Sequence, residues 1–429
     1  MDVKKALFVP VAALLVFSNA GMAQANEADQ GEEHMPTVDT EAADLRATLD
    51  HQLSEHAFLA VETMRKGADG AEDFDQSAAA LDQNTAELAE TITSVYGEEA
   101  GQQFETMWSE HIGYFVDYVN ATAEEDASGK EEALNQLAQY REDFSMFLEN
   151  ATEERVEAEG LAEGLQMHVD QLIGAFDAYV MGDYEKAYEY EREAINHMYM
   201  VSKGLSTAIA DQFPDQYNHT DPATPAADLR SELNYLFSEH AGLAAVAMQN
   251  GIDGSEDFEA STEALNHNTE DLAAAVTSVY GEEAGQQFKT MWSEHIGYFV
   301  DYVNATAQDD ENAKQEALDN LMMYRDNFSE FMDTATEGNL PSEDLSEGLQ
   351  MHVDQLIGAF DAYAEGDYQT AYDQTREAYH HMFMTGKGLS GAIVMQMPDQ
   401  FKSEMPEEMP DTSMAPPVKK YETDDYPTR

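Results

Sequence analysis

The stretch TSVYGEEAGQQFETMWSEHIGYFVDYVNATA at 93–123 recurs at 277–307 with one change, Glu105 against Lys289. A shift of 184 positions carries His56 to His240, His111 to His295, His168 to His352 and His197 to His381. A chain built this way has to be explained as one folding unit used twice, and any chemistry it carries belongs to both copies.

Each copy reads as helix throughout. Apolar residues recur at three- and four-residue steps with Gly or Pro between the runs, and nothing has strand alternation. In the first copy the six inward stripes run through Leu49, Leu53 and His56; Leu81, Asn84 and Leu88; Phe104, His111 and Phe115; Leu137, Tyr140 and Phe144; Leu165, His168 and Leu172; and Ala194, His197 and Val201. Charged residues are expected on the opposite faces. Taken as three hairpins, the six helices place His56, His111 and His168 at equivalent points of the first helices, and Asn84, Tyr140 and His197 at equivalent points of the second. The expected fold is therefore all-α, two tandem six-helix domains, each three αα-hairpins in a bundle. If the hairpins close around a common axis the three matched histidines converge; in an open solenoid they stay apart.

Along the chain, residues 1–25 have the basic start, short apolar run and Ala23-Gln24-Ala25 site of a signal peptide, and 26–43 read as a flexible acidic leader. The helical copies are expected at 44–213 and 228–401, joined by a Pro-bearing linker at 214–227 and followed by a disordered tail at 402–429. Each copy has roughly 170 residues, enough for its own core. The expected location is outside the cell or in its envelope, with no membrane span after the leader. Without a single cysteine, the chain has no disulfide, thiolate metal site or thiol nucleophile.

Against 86 acidic residues stand 21 basic ones, a formal charge of −65. Such a surface repels phosphate backbones and argues against a nucleic-acid partner. The acids are spread over every helix rather than spaced as a calcium loop, which suits solvation in a salty or alkaline medium and a halophilic source.

Four imidazoles per copy on inward stripes require an explanation, because an unpartnered buried ring loses roughly 1 to 3 kcal/mol. One reading pairs them with Glu55, Glu110 or Glu193 as structural residues. The other makes them ligands for copper first, or for zinc, with thioethers close by: His56, His111, His168, His197, Met107 and Met200 in one copy, and His240, His295, His352, His381, Met291 and Met384 in the other. A haem held by a His/Met or His/His pair stays open as a third reading. Signatures of diiron bundles, zinc proteases, phosphate loops and serine hydrolases are missing, so the chain is read as non-enzymatic. A cell-surface or extracellular scaffold with structural histidines only is the alternative function.

The motifs Ser-Glu-His in the first helix, SVYG and MWSEHIGYFVDY around the third, GLQMHVDQL in the fifth and HMYM or HHMFM in the sixth resemble a domain of exported bacillus-type proteins often labelled copper amine oxidase-like. The resemblance covers both copies and implies an exported helical domain. Oxidase chemistry does not come with it, since the Asn-Tyr-Asp/Glu tripeptide that matures into a quinone is missing from this sequence.

Overall fold

The computed structural model describes residues 35–402. The expected signal peptide, the first half of the leader and all but the first residue of the tail lie outside the described residues. Twelve α-helices follow one another: α1 (Glu41–Asp69), α2 (Phe74–Tyr96), α3 (Glu98–Ala123), α4 (Ala127–Ala151), α5 (Ala158–Val180) and α6 (Tyr184–Gln212), then α7 (Pro225–Asp253), α8 (Phe258–Tyr280), α9 (Glu282–Ala307), α10 (Glu311–Ala335), α11 (Ser342–Glu365) and α12 (Tyr368–Gln396). Among the described residues there is no strand, and no helix is long and apolar enough to cross a membrane.

Local chemistry sets the ends. The Thr40 hydroxyl accepts from the Ala43 amide to start α1, and Thr224 does the same for Ala227 in α7, with Pro225 in the first turn. Helix α1 therefore begins before Asp44 and α7 before Asp228, so the expected leader and linker boundaries at 43 and 227 both fall inside helices. Alanine-rich first turns carry no apolar period, and the threonine caps are the signal that marks them. Between α2 and α3 the chain turns at Gly97, whose φ of 89° is left-handed backbone open to glycine, and Gly281 repeats this at 87°.

In each half every helix packs on its sequence neighbour, and the last returns onto the first: α6 lies along α1, and α12 along α7. The ring is closed rather than an open solenoid. Helix α1 also touches α3 and α5, and α7 touches α9 and α11, so the first helices of the three hairpins face the ring centre.

The two halves form one body. Helix α1 packs on α7, α6 on α8 and α12 on α2, an arrangement that repeats itself when the halves are exchanged. Charges on α1 and α7, expected to face water, are buried here instead: Asp50, Glu55, Glu62, Arg65 and Lys66 are all closed off because the other half covers them. Complementary groups meet them in matched pairs. Arg46 binds Asp228 at 2.6 Å and the Pro222 carbonyl, and Arg230 binds Asp44 at 2.6 Å and the Val38 carbonyl. Arg376 grips Glu55 through two bonds of 3.1 and 2.8 Å and reaches Glu87, as Arg192 grips Glu239 and reaches Asp271. The expected linker is part of this seam, with Tyr217 buried and the Thr220 hydroxyl accepting from the Ala42 amide. Shape is complementary too: Phe58 stacks on Tyr379 at 5.6 Å over Gly242, where an added methyl would come within 3.1 Å of the Phe58 ring.

Removing one partner of a closed-off ion pair leaves a bare charge. Arg376→Ala, which strands the 1 % exposed Glu55, should therefore destabilise the protein by about 3 to 5 kcal/mol, read as a lower urea midpoint. An unchanged midpoint would mean that the seam contributes little.

Candidate metal centre

Ring closure brings α1, α3 and α5 together at one level, and with them His56, His111 and His168. One nitrogen from each of the three rings lies within 4.8 Å of the other two, and His240, His295 and His352 repeat the cluster in the second half. The Nε2 atoms of His56 and His111 are 3.4 Å apart, as are those of His240 and His295. Three nitrogens bound 2.0 to 2.1 Å from one zinc or copper ion stand roughly 3.3 to 3.6 Å apart, so a small inward shift of the third ring completes a coordination set.

The wall is aromatic. Tyr140 stacks on His111 at 4.7 Å, Trp108 meets the same ring edge-on at 4.7 Å, and Phe144 packs behind both. Tyr324, Trp292 and Phe328 do the same around His295. Beside His352 lies a small cavity of about 20 Å³, lined by Phe237, Phe288, Trp292 and Leu349 among others, room for about one water.

Pairing with carboxylates, the structural reading of these histidines, does not occur. Glu55 is taken by Arg376 and by the Asn84 amide at 2.8 Å, while Glu110 and Glu193 face solvent. What the site holds instead is a set of buried polar atoms without partners: Nδ1 of His56, both ring nitrogens of His168, Nε1 of Trp108 and the Tyr140 hydroxyl. Their counterparts at His240, His352, Trp292 and Tyr324 are orphaned in the same way. Proteins seldom leave such groups unsatisfied, and a cluster of them calls for a physical explanation.

Burial keeps these rings neutral. It pulls His111 and His295 down to about 3, offset slightly by the carbonyls of Trp108 and Trp292, and takes His168 to about 3 with help from its neighbours His111 and His197. His56, His240 and His352 are held well below the ordinary imidazole range, by burial first and by adjacent histidines second. Neutral imidazole is the form that binds metal.

The other expected ligands are elsewhere. His197 Nε2 donates to the Gly164 carbonyl at 2.9 Å and His381 Nε2 to Gly348 at 2.9 Å, so both stand outside the clusters, turned aside by a nearer acceptor. Met200 and Met384 are 58 and 67 % exposed, on the solvent side of α6 and α12, and cannot reach a buried centre. Met107 and Met291 are half-buried at the edge of the core; the tryptophans that follow them take the places against the histidines.

Two further histidines escaped the sequence reading. His51 and His380 stack on each other at 4.3 Å across the seam between the halves. The shift of 184 pairs them with Tyr235 and Asn196, so a search for residues kept in both copies passes over them. The adjacency of His380 to His381 was the one available signal.

No family model matches the chain, and neither does any curated protein or solved structure.

The depressed histidines make acid unfolding a direct readout. Below about pH 6.5 the unfolded chain takes up protons that the folded rings refuse until about pH 3. Metal-free protein should therefore lose stability steadily as pH falls through that window, and replacing His168 and His352 with Phe should flatten the slope, measured by urea midpoints at several pH values. A second outcome concerns the orphaned hydroxyl: Tyr140→Phe should leave metal-free protein as stable as before or up to about 1 kcal/mol more so, by the same measurement.

Proposed function

We propose that each half binds one copper ion in its monovalent state on three histidines, His56, His111 and His168 in the first and His240, His295 and His352 in the second, and that the protein is a non-catalytic, exported metal binder. The observation that carries this reading is the set of buried, neutral imidazoles converging in an aromatic-walled pocket with ring nitrogens left without partners.

The choice of ion follows from charge. No carboxylate belongs to either cluster, so the full charge of the ion is left in an apolar surrounding. The desolvation cost of an ion grows with the square of its charge, making a divalent ion roughly four times as costly as a monovalent one. Imidazole suits copper in either state, and a three-coordinate site of neutral ligands suits the monovalent one. Zinc could enter only with a hydroxide to halve its charge. A haem has no room here, since Trp108 and Tyr140 already pack on His111 and the cavity beside His352 is about 20 Å³. The same crowding leaves no place for an organic substrate, which supports a binding role over catalysis.

Purified protein titrated anaerobically with Cu(I) against a chromogenic chelator should retain two tight equivalents per chain in the buried clusters, over and above any held elsewhere on the molecule, with a melting temperature that rises on loading. His168→Phe should remove one equivalent and His168→Phe with His352→Phe both. Because neither nitrogen of His168 has a partner, the metal-free variants should melt at or above the parent temperature. Substituted chains that bind as before, or that unfold because a structural histidine is gone, would overturn the reading.

A further inference from the structure

We propose that the groove between the two halves holds a separate, solvent-reachable site for a soft transition-metal ion, monovalent copper, on the imidazoles of His51 and His380 and the thioether of Met384. It stands on residues outside the buried clusters and does not depend on them.

The three donors line one groove of about 960 Å³. His51 comes from α1 in the first half, and His380 and Met384 lie one turn apart on α12 in the second, on the same helix face. His51 is fixed by burial, with Phe383 edge-on to it at 5.2 Å, and its Nε2 atom is buried without a hydrogen-bond partner. The nearest carboxylate oxygen, Oε1 of Glu55, is 3.8 Å away and already accepts from Arg376 at 3.1 Å. His380 and Met384 are exposed, so rotation of their side chains can bring a ring nitrogen and a sulfur to that orphaned atom. Burial and the neighbouring His380 hold His51 at about 3, leaving it unprotonated and available.

The surroundings favour a cation. Glu87 and Glu90 line the groove, and its two cationic residues are engaged: Arg230 with Asp44 at 2.6 Å, and Lys387 with Asp39 at 2.7 Å and Asp44 at 3.1 Å. Two imidazoles and a thioether form a donor set soft enough to prefer Cu(I) over zinc or calcium. The related positions of the other groove hold Tyr235, Asn196 and Met200, and the Tyr235 hydroxyl donates to Glu239 at 3.0 Å. One groove has therefore acquired two imidazoles that its counterpart lacks.

The test uses the full chain carrying His168→Phe and His352→Phe, so that the buried clusters are silent. Titrated anaerobically with Cu(I) against a chromogenic chelator, this protein should hold one equivalent. Adding His380→Asn or His51→Tyr, each copying the residue of the related groove, should abolish it, and Met384→Leu should weaken it at least tenfold, whereas Met200→Leu should change nothing. No retained copper in the parent of this series, or binding indifferent to His380→Asn, would overturn the proposal. Failure of the buried clusters is read separately: a wild-type chain would then retain the single groove equivalent, and the groove site would stand.

Discussion

Three imidazoles closed off from bulk solvent, and out of reach of any free carboxylate, are the constraint on which the chemistry of this protein turns. Bulk solvent would hydrate them and glutamates would pair with them, yet both are kept away by the closure of six helices around α1, α3 and α5. Buried groups of this kind cost stability until an ordered water or an ion satisfies them. The aromatic lining of Trp108, Tyr140 and Phe144 fixes the ring of His111 while making no side-chain hydrogen bond to it, a surrounding that suits the proposed ion.

The seam between the halves uses the scarcest resource of the chain. Of 21 cationic side chains, Arg46, Arg65, Arg192, Lys203, Arg230, Arg376 and Lys387 all meet carboxylates of the opposite half. In a molecule of net charge −65, two acidic bodies repel unless positive groups are placed where they touch. That placement explains why α1 and α7 carry buried charge and read poorly as amphipathic helices.

How much of this was legible follows from the same division. Period and spacing reach whatever is local: the twelve helices, the three hairpins per half and the matched positions of His56, His111 and His168. They could not decide between ring and solenoid, because the return of α6 onto α1 depends on packing between residues far apart in sequence. His197 lay on an inward stripe as the others did, though in a second helix of its hairpin, and a carbonyl at Gly164 in the facing helix removed it. Methionine spacing misled for a similar reason, since Met200 and Met384 follow the histidines by three residues and a three-residue step swings a side chain roughly 60° around the helix, enough to turn it outward. The seam was the least readable part. Nothing local says that Asp50 or Glu62 will be covered, and the linker gave no hint that the halves meet.

The size mismatch at the seam has a consequence for the history of the molecule. Phe58 fills the space above Gly242, although the shift of 184 makes the two positions equivalent. Two first halves brought together would set phenylalanine against phenylalanine, and two second halves would leave a hollow. At this point the copies are lock and key to each other, so that neither half can stand in for its twin.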